Sequence, residues 1–234
     1  VHLPQRFPEI YRRAGDTMQV GASGRTVDLA ESGVPPLKIA ARLVQEDLVL
    51  MRRDERGWRL AAASLSFASS WSLAEKFGKP LRDIHGPVPQ FGPGTRSDDL
   101  IERMFDKLQG QLVERFNWSL QPDAVLYKPL SSMQRTDRAE KAISRFPGID
   151  AAAAAFIRVE RQTLRKLPVS GDILFTIRIH LDPMAALRAH PDRARTAASF
   201  AGQLAALDRA QLDYKGLAAD RDRLVAALEA IAAA

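Results

Sequence analysis

The stretch that decides the fold is FIRVERQTLRKLPVSGDILFTIRIHL, residues 156–181. In its second half Ile173, Phe175, Ile177, Ile179 and Leu181 alternate with Leu174, Thr176, Arg178 and His180, the period of two that marks a strand. The first half, Phe156–Leu167, alternates less regularly, but Arg158, Glu160 and Gln162 fall on one side. Pro168-Val169-Ser170-Gly171 between them is short enough to join an antiparallel pair. Two polar stripes on paired strands mean either a solvated sheet face or the wall of a wet pocket. An ion-paired cluster of Arg158, Glu160 and Arg178 across these strands would be chemically useful, because a carboxylate relays protons while an arginine orients an anion or a bound oxygen species. The plainer reading of the same three residues is a surface salt bridge. His180, at the end of the second polar stripe, reads as a half-exposed strand histidine.

Upstream, Leu43–Arg53 and Trp58–Phe67 flank Asp54-Glu55-Arg56-Gly57, a composition that suits a hairpin turn between two more strands. Leu100, Ile101, Met104, Phe105, Leu108, Leu112 and Val113 recur at helical spacing and predict a helix over Asp98–Phe116, capped by Ser97 or Asp98. Ser72 followed by Glu75 predicts a capping box on a short helix that stops near Gly78 and Pro80. Short extended pieces are expected at Asn117–Leu120 and Ala124–Tyr127. Residues 1–40 carry so many Pro and Gly residues that an irregular entry is expected, with a short helix at Pro36–Ala41.

Beyond Pro183 the chain turns rich in Ala, Leu, Arg and Asp, with helical periodicity in Ala197–Leu217 and Asp220–Ala232. These helices, residues 184–234, are expected to pack on the domain formed by residues 1–183 and to supply no ligand to an active site. Strands, helix, strands and terminal helices in that order define an α+β fold with a mainly antiparallel sheet.

Composition narrows the chemistry. At 234 residues, 46% hydrophobic and 26% charged, the chain can bury a sizeable core without disulfides or structural zinc. It has no cysteine, which removes disulfides, iron–sulfur ligation, thiolate haem ligation and every cysteine nucleophile. The net charge of +6 is spread among acids rather than gathered into a basic run or an aromatic-basic motif, so no nucleic-acid partner is expected. The opening VHLPQRF lacks the apolar core of a secretion signal, and nothing reaches the ~18 apolar residues of a spanning helix. A cytoplasmic protein with no membrane partner is the expectation.

No P-loop, Gly-x-Ser-x-Gly elbow, His-Glu-x-x-His or GxGxxG is present. The four histidines His2, His85, His180 and His190 show no pair at metal-ligand spacing. His85 stands out, because IHGPVPQFGPG, residues 84–94, holds three prolines and three glycines, and such a loop can present an imidazole rigidly to a bound group. The alternative for His85 is a helix cap or a bond to a backbone carbonyl. Trp58, Trp71, Trp118, Phe67 and Phe91 read as core more readily than as a cofactor wall.

Six segments, VQEDL (44–48), WRLAAAS (58–64), FASSWSLAEK (67–76), IHGPVP (84–89), FNWS (116–119) and RVERQTLRKLP (158–168), occur in the same order in a bacterial family that the chain resembles from about residue 5 to residue 215. This is the family of the alpha subunit of haem-dependent oxidative N-demethylase. The resemblance implies a PAS-like domain, a curved antiparallel sheet with helices closing one side around b-type haem. It implies O₂-dependent oxidation of a small secondary amine, dimethylamine being the type substrate, to a primary amine and formaldehyde. Electrons would come from NADPH through reductase subunits that carry the flavin and the iron–sulfur cluster, and the sequence is compatible with an oligomer. His85 matches the Ile-His-x-Pro-Val-Pro motif and is the implied axial iron ligand. Glu160, Arg158 and Arg178 are the implied pocket residues, the acid relaying protons and the arginines stabilising bound oxygen or a haem propionate. At His180 an aromatic residue is expected, so a second imidazole near the haem is a further expectation. The same cues suit a non-catalytic PAS-type haem or ligand sensor, or an adaptor domain with an empty pocket.

Overall fold

The computed structural model describes residues 2–146, 148 and 150–234, so Val1, the first residue of the expected irregular entry, lies outside the described residues. Five strands make the central sheet: β4 (Asp47–Asp54), β5 (Gly57–Ser64), β6 (Leu112–Gln121), β7 (Phe156–Lys166) and β8 (Ile173–Pro183), in the order β5-β4-β8-β7-β6. Every neighbouring pair is antiparallel. β4 and β5 form the expected hairpin. Asp54 pairs with Gly57 across the turn, Asp54 Oδ1 accepts a bond from the Arg56 amide at 2.9 Å, and Gly57 takes φ +101°, a conformation that favours glycine. The fold is therefore the expected α+β.

Residues 1–40 depart from the expected irregular entry. After α1 (His2–Arg6) they form β1 (Tyr11–Ala14), β2 (Thr17–Val20) and β3 (Arg25–Asp28), a small antiparallel sheet, before α2 (Pro36–Ala41) arrives where expected. The glycines that seemed to forbid regular structure instead occupy its turns: Gly15, Gly21 and Gly24 all have positive φ. Met18 and Val27 are buried in it, and the Tyr11 hydroxyl donates to the Leu43 carbonyl at 2.7 Å, tying the small sheet to the connection between Ala41 and Asp47 that leads into β4.

The connection from β5 to β6 runs through α3 (Leu73–Lys76), α4 (Leu81–His85) and α5 (Arg96–Lys107). α5 ends well before Phe116. Its cap is Thr95, whose hydroxyl accepts from the Asp98 amide at 3.2 Å, and beyond Gly110, at φ +66°, the chain enters β6. Leu112 and Val113 continued the helical spacing, but the ten-residue register from Leu112↔Arg165 to Gln121↔Phe156 satisfies the backbone better than an isolated helical turn would. Ser72 makes no capping bond on α3; Glu75 instead accepts from the Ser132 amide at 3.0 Å and its hydroxyl at 2.9 Å, at the start of α6 (Ser132–Lys141). Ala124–Tyr127 is not a strand; Gln121 Nε2 pins this segment through the Asp123 and Val125 carbonyls at 2.6 and 3.0 Å.

α7 (Ala151–Ala154) precedes β7, and after β8 and a short 3₁₀ turn come α8 (Arg193–Ala205), α9 (Arg209–Lys215) and α10 (Arg221–Ala233). Asp208 and Gln211 form a capping box that starts α9 and splits the expected Ala197–Leu217 helix in two. One core joins Val49, Met51, Leu164 and Ile173 of the sheet to Trp58, Leu81 and Phe105, the last two carried by α4 and α5. A second joins Leu120 and Ile157 to Leu204, Leu224, Leu228 and Ile231 of the C-terminal helices. The helices thus lie on both sides of the sheet.

Candidate functional site

Strand register decides which polar side chains meet. In the β7–β8 ladder Arg158 pairs with Leu181, Glu160 with Ile179 and Gln162 with Ile177, while Arg161 pairs with Arg178 and Val159 with His180. Directly paired residues project to the same face. The Arg158, Glu160 and Gln162 stripe therefore lies on the face that α4 and α5 cover, together with Asp47 of β4 and with Arg115 and Asn117 of β6. Arg178 and His180 lie on the other face. The expected three-residue cluster is thus split by the sheet. Arg178 comes within 3.6 Å of Glu46 instead, near the Tyr11 phenol, whose pKa burial and then Glu46 raise. His180 is exposed and away from the Glu160 face.

Arg158 is 1% exposed. Its guanidinium donates to the Phe67 carbonyl at 2.5 Å and the Leu126 carbonyl at 3.1 Å, and its Nε approaches Glu160 Oε1 at 3.5 Å. Burial lowers its pKa, and Glu160 and Asp47 work against that effect. With its donors so engaged, Arg158 fastens the segments after β5 and β6 to the sheet. Glu160 is 20% exposed at its side chain and also accepts from Gln162 Nε2 at 3.0 Å, so two donors fix its carboxylate. Asp47 accepts from the Ser66 and Phe67 amides at 2.5 and 3.1 Å and anchors the same segment from the β4 side.

His85 ends α4 rather than lying in the loop that follows. Pro80 stands at the N-cap of that helix, and the Val88 amide bonds the His85 carbonyl at 2.7 Å, turning the chain sharply into the Pro/Gly segment. Phe91 folds back so that its ring centroid lies 6.3 Å from the imidazole, edge to face. His85 Nδ1 is buried with no hydrogen-bond partner among the described residues. Burial, reinforced by Lys76 and Arg115 and opposed by Asp98, pushes the imidazole down to about 4, so it is neutral at pH 7. A neutral imidazole is the form that ligates a metal. His2, His180 and His190 are all exposed.

Sequence reading missed the residues that surround this face from other elements. Lys76 of α3 donates to the Ile84 carbonyl at 3.0 Å and lies over the Trp71 ring. Lys215 of α9 donates to the Trp118 carbonyl at 2.6 Å. Tyr214 beside it has its pKa raised by burial and then by Glu160, with Arg135, Arg138 and Arg115 opposing. α9 of the C-terminal helices thus packs close enough for Glu160 to act on Tyr214 and Lys215, and Gln90 of the Pro/Gly segment touches Asp208 at the α9 N-cap, 3.4 Å away. No local pattern announces the Lys215–Trp118 and Gln90–Asp208 contacts, which join residues more than 90 positions apart; only Lys76 lay inside a segment that carried the family resemblance. Two open clefts, one beside the small sheet at Asp28 and Arg42 and one between Arg53, Asp106 and Arg82 of α4, include neither His85 nor Glu160 in their lining.

Among the described residues no three His, Cys, Asp or Glu side chains are grouped to hold a bare metal ion. One buried neutral imidazole with an unpartnered nitrogen suits an iron that brings its other donors in a porphyrin, so the residues present fit haem.

The fold and the site together define an α+β protein with a buried imidazole and a fixed carboxylate inside a helix-covered sheet. This chain belongs to the haem-dependent oxidative N-demethylase, alpha subunit-like family, whose family model matches residues 1–225. The family's description carries haem dependence and a subunit role, in agreement with the resemblance borne by the six segments. Among the described residues no helix is long and apolar enough to cross a membrane.

Proposed function

We propose that the chain binds b-type haem through His85 and serves as the oxidising subunit of an amine N-demethylase. The carrying observation is His85 itself: it is the one histidine that is not exposed, it is neutral, and it lies in IHGPVP, one of the segments that carry the resemblance. The antiparallel sheet with helices over the Glu160 face supports the PAS-like reading. The reaction is (CH₃)₂NH + O₂ + 2 e⁻ + 2 H⁺ → CH₃NH₂ + HCHO + H₂O for a dimethylamine-type substrate. Partner subunits deliver the electrons from NADPH through flavin and an iron–sulfur cluster, because a chain without cysteine holds no such cluster. Bound haem supplies the site at which O₂ is reduced and the amine methyl group oxidised.

The chain's own residues supply the rest. His85 donates one nitrogen to the iron, and Phe91 limits the swing of its ring. Glu160, held by Arg158 and Gln162, takes up or releases a proton at its carboxylate while the substrate nitrogen changes charge. Arg158 is a positioning residue, its donors spent on Phe67, Leu126 and Glu160. Arg178 has no part in this reading, since the sheet stands between it and Glu160.

Absorption spectroscopy of the purified chain with added haem is the test, followed by amine-dependent O₂ consumption with a competent reductase. The expected result is a Soret band and a ferrous–CO spectrum that His85→Ala abolishes and His180→Ala leaves intact. A chain that never takes up haem overturns the reading; one that binds haem but shows no amine-dependent oxygen use is a sensor.

A further inference from the structure

We propose that Lys76 is the positioning residue of His85, holding from α3 the end of α4 that carries the imidazole. This role rests on the haem reading above and adds to it the group that orients the iron ligand. A histidine that binds a metal ordinarily donates from its other ring nitrogen to a carboxylate or a carbonyl, and that bond sets the orientation of the ring. His85 has no such bond: among the described residues neither ring nitrogen has a hydrogen-bond partner, and Nδ1 is buried. Its orientation therefore comes from the backbone beneath it and from the Phe91 ring against it.

That backbone needs a partner from outside, because α4 is five residues long and is followed by Gly86 and Pro87. The Asp83 and Ile84 amides both turn to the Pro80 carbonyl, at 3.0 and 3.1 Å. Pro87 has no amide, and the Val88 amide folds back to the His85 carbonyl at 2.7 Å instead of continuing the helix onto the Ile84 carbonyl. Lys76 Nζ fills that place, 3.0 Å from the Ile84 oxygen. An ammonium on the last carbonyls of a helix makes a charge-assisted bond, stronger than a neutral one. The peptide units on both sides of the His85 Cα are thus held, one through Lys76 and one through Val88.

Lys76 can hold α4 only if α3 is itself fixed, and four residues do not make a self-supporting helix. Before α3, Ser70 takes φ +60°, a conformation that residues other than glycine seldom adopt. The surrounding bonds keep it there: the Ser70 amide donates to the Lys128 carbonyl at 3.0 Å, its carbonyl accepts from Arg135 at 3.1 Å, and its hydroxyl accepts from Arg138 at 3.3 Å. Within α3, Glu75 accepts from the Ser132 amide at 3.0 Å and its hydroxyl at 2.9 Å, at the start of α6. After α3, the Gly78 amide donates to the Leu60 carbonyl of β5 at 2.9 Å, and the Leu60 amide to the Lys79 carbonyl at 3.1 Å. From this anchored segment Lys76 passes over the face of Trp71, its Nζ 5.1 Å from the ring centroid, to reach Ile84. The strained turn at Ser70 sets where α3 begins, and so where that ammonium lies.

The experiment adds haem to the full chain and records the Soret titration and the ferrous–CO spectrum, with a thermal melt of the haem-free chain beside them. Lys76→Met keeps the aliphatic stem and loses the donor. It is expected to bind haem about tenfold or more weakly and to broaden and shift the ferrous–CO band, while the melt stays cooperative. Lys76→Arg, whose guanidinium can donate to the same carbonyl, should restore both, and Lys79→Met, at an exposed position three residues on, should change neither. Glu75→Ala, which removes the contact with Ser132 and leaves Lys76 in place, should move the same band in the same direction. If Lys76→Met does not fold, Glu75→Ala decides, and an unmoved band overturns the role. Parent-like affinity and spectrum in Lys76→Met, or a loss that Lys76→Arg does not repair, overturn the positioning role while the haem reading stands. A parent chain that takes up no haem, or one whose spectrum His85→Ala leaves unchanged, overturns the haem reading and this role with it.

Discussion

Glu160 stands opposite Ile179 in the β7–β8 ladder, and Arg178, one residue earlier, stands opposite Arg161. That one-residue offset puts the carboxylate on the face that α4 and α5 cover and the arginine on the opposite face, with the sheet between them.

Arg178→Ala should therefore leave haem binding and turnover unchanged. It removes only a half-exposed contact with Glu46, and the stability loss expected in urea denaturation is about 1 kcal/mol or less. A large fall in amine oxidation would show that the strand register described here is wrong.

Glu160→Gln keeps the shape of the side chain and the bond from Gln162 but cannot exchange a proton. Haem loading should be normal and turnover lower by ~10²–10⁴, the usual cost of losing a general acid or base. Steady-state oxidation with a competent reductase decides this, and full activity would take the carboxylate out of the reaction.

Arg158→Met tests the positioning role. The substitution leaves the Phe67 and Leu126 carbonyls and one Glu160 oxygen without their donor in a buried setting, so a loss of roughly 3–5 kcal/mol is expected in chemical denaturation. Arg158→Lys should recover only part of it, since an ammonium cannot reproduce the planar fork. A stable, fully active Arg158→Met protein would refute the fastening role.

The haem-free chain should gain stability with rising pH between about 8 and 10.5. Lys76 is held at about 8 in the folded state, mainly by burial and then by Arg135, and returns to 10.5 on unfolding. In that window the unfolded chain binds more protons, so raising the pH favours the folded state; below it the full penalty applies. Thermal melts across this range, compared between the parent and Lys76→Met, isolate the contribution, which should vanish in the variant. Parallel pH profiles would mean that Lys76 is solvated.

Leu228→Ala, in the middle of α10 and 1% exposed, removes packing between the C-terminal helices and the sheet residues Leu120 and Ile157. The expected cost is about 2–5 kcal/mol, read from denaturation midpoints. A shift near zero would show those helices to be loosely attached.

Much of the fold was legible in local pattern. Alternation located β7 and β8, the Asp54–Gly57 turn located the first hairpin of the main sheet, and apolar spacing located the C-terminal helices, because each reflects an interaction between residues near one another in the chain. His85 was legible for a similar reason: its proline-bounded surroundings restrict the backbone whatever lies across from it. The small sheet was not, since positive-φ glycines serve equally in turns between strands and in irregular chain. The end of α5 was misread because Leu112 and Val113 fit a helical stripe and a strand alike, and pairing with β7, more than forty residues on, made the choice.

By itself the sequence determined the strand periodicities, the stripes each strand would carry, the absence of thiol chemistry and the histidine held in IHGPVP. Tertiary structure decided which stripes share a face, and so put Arg178 and His180 on the face opposite Glu160 and turned Arg158 into a fastening for two chain segments. The physical reason is that a period of two fixes side-chain direction only relative to the same strand; direction relative to a neighbour depends on register, which is set by hydrogen bonds and packing between segments far apart in the chain.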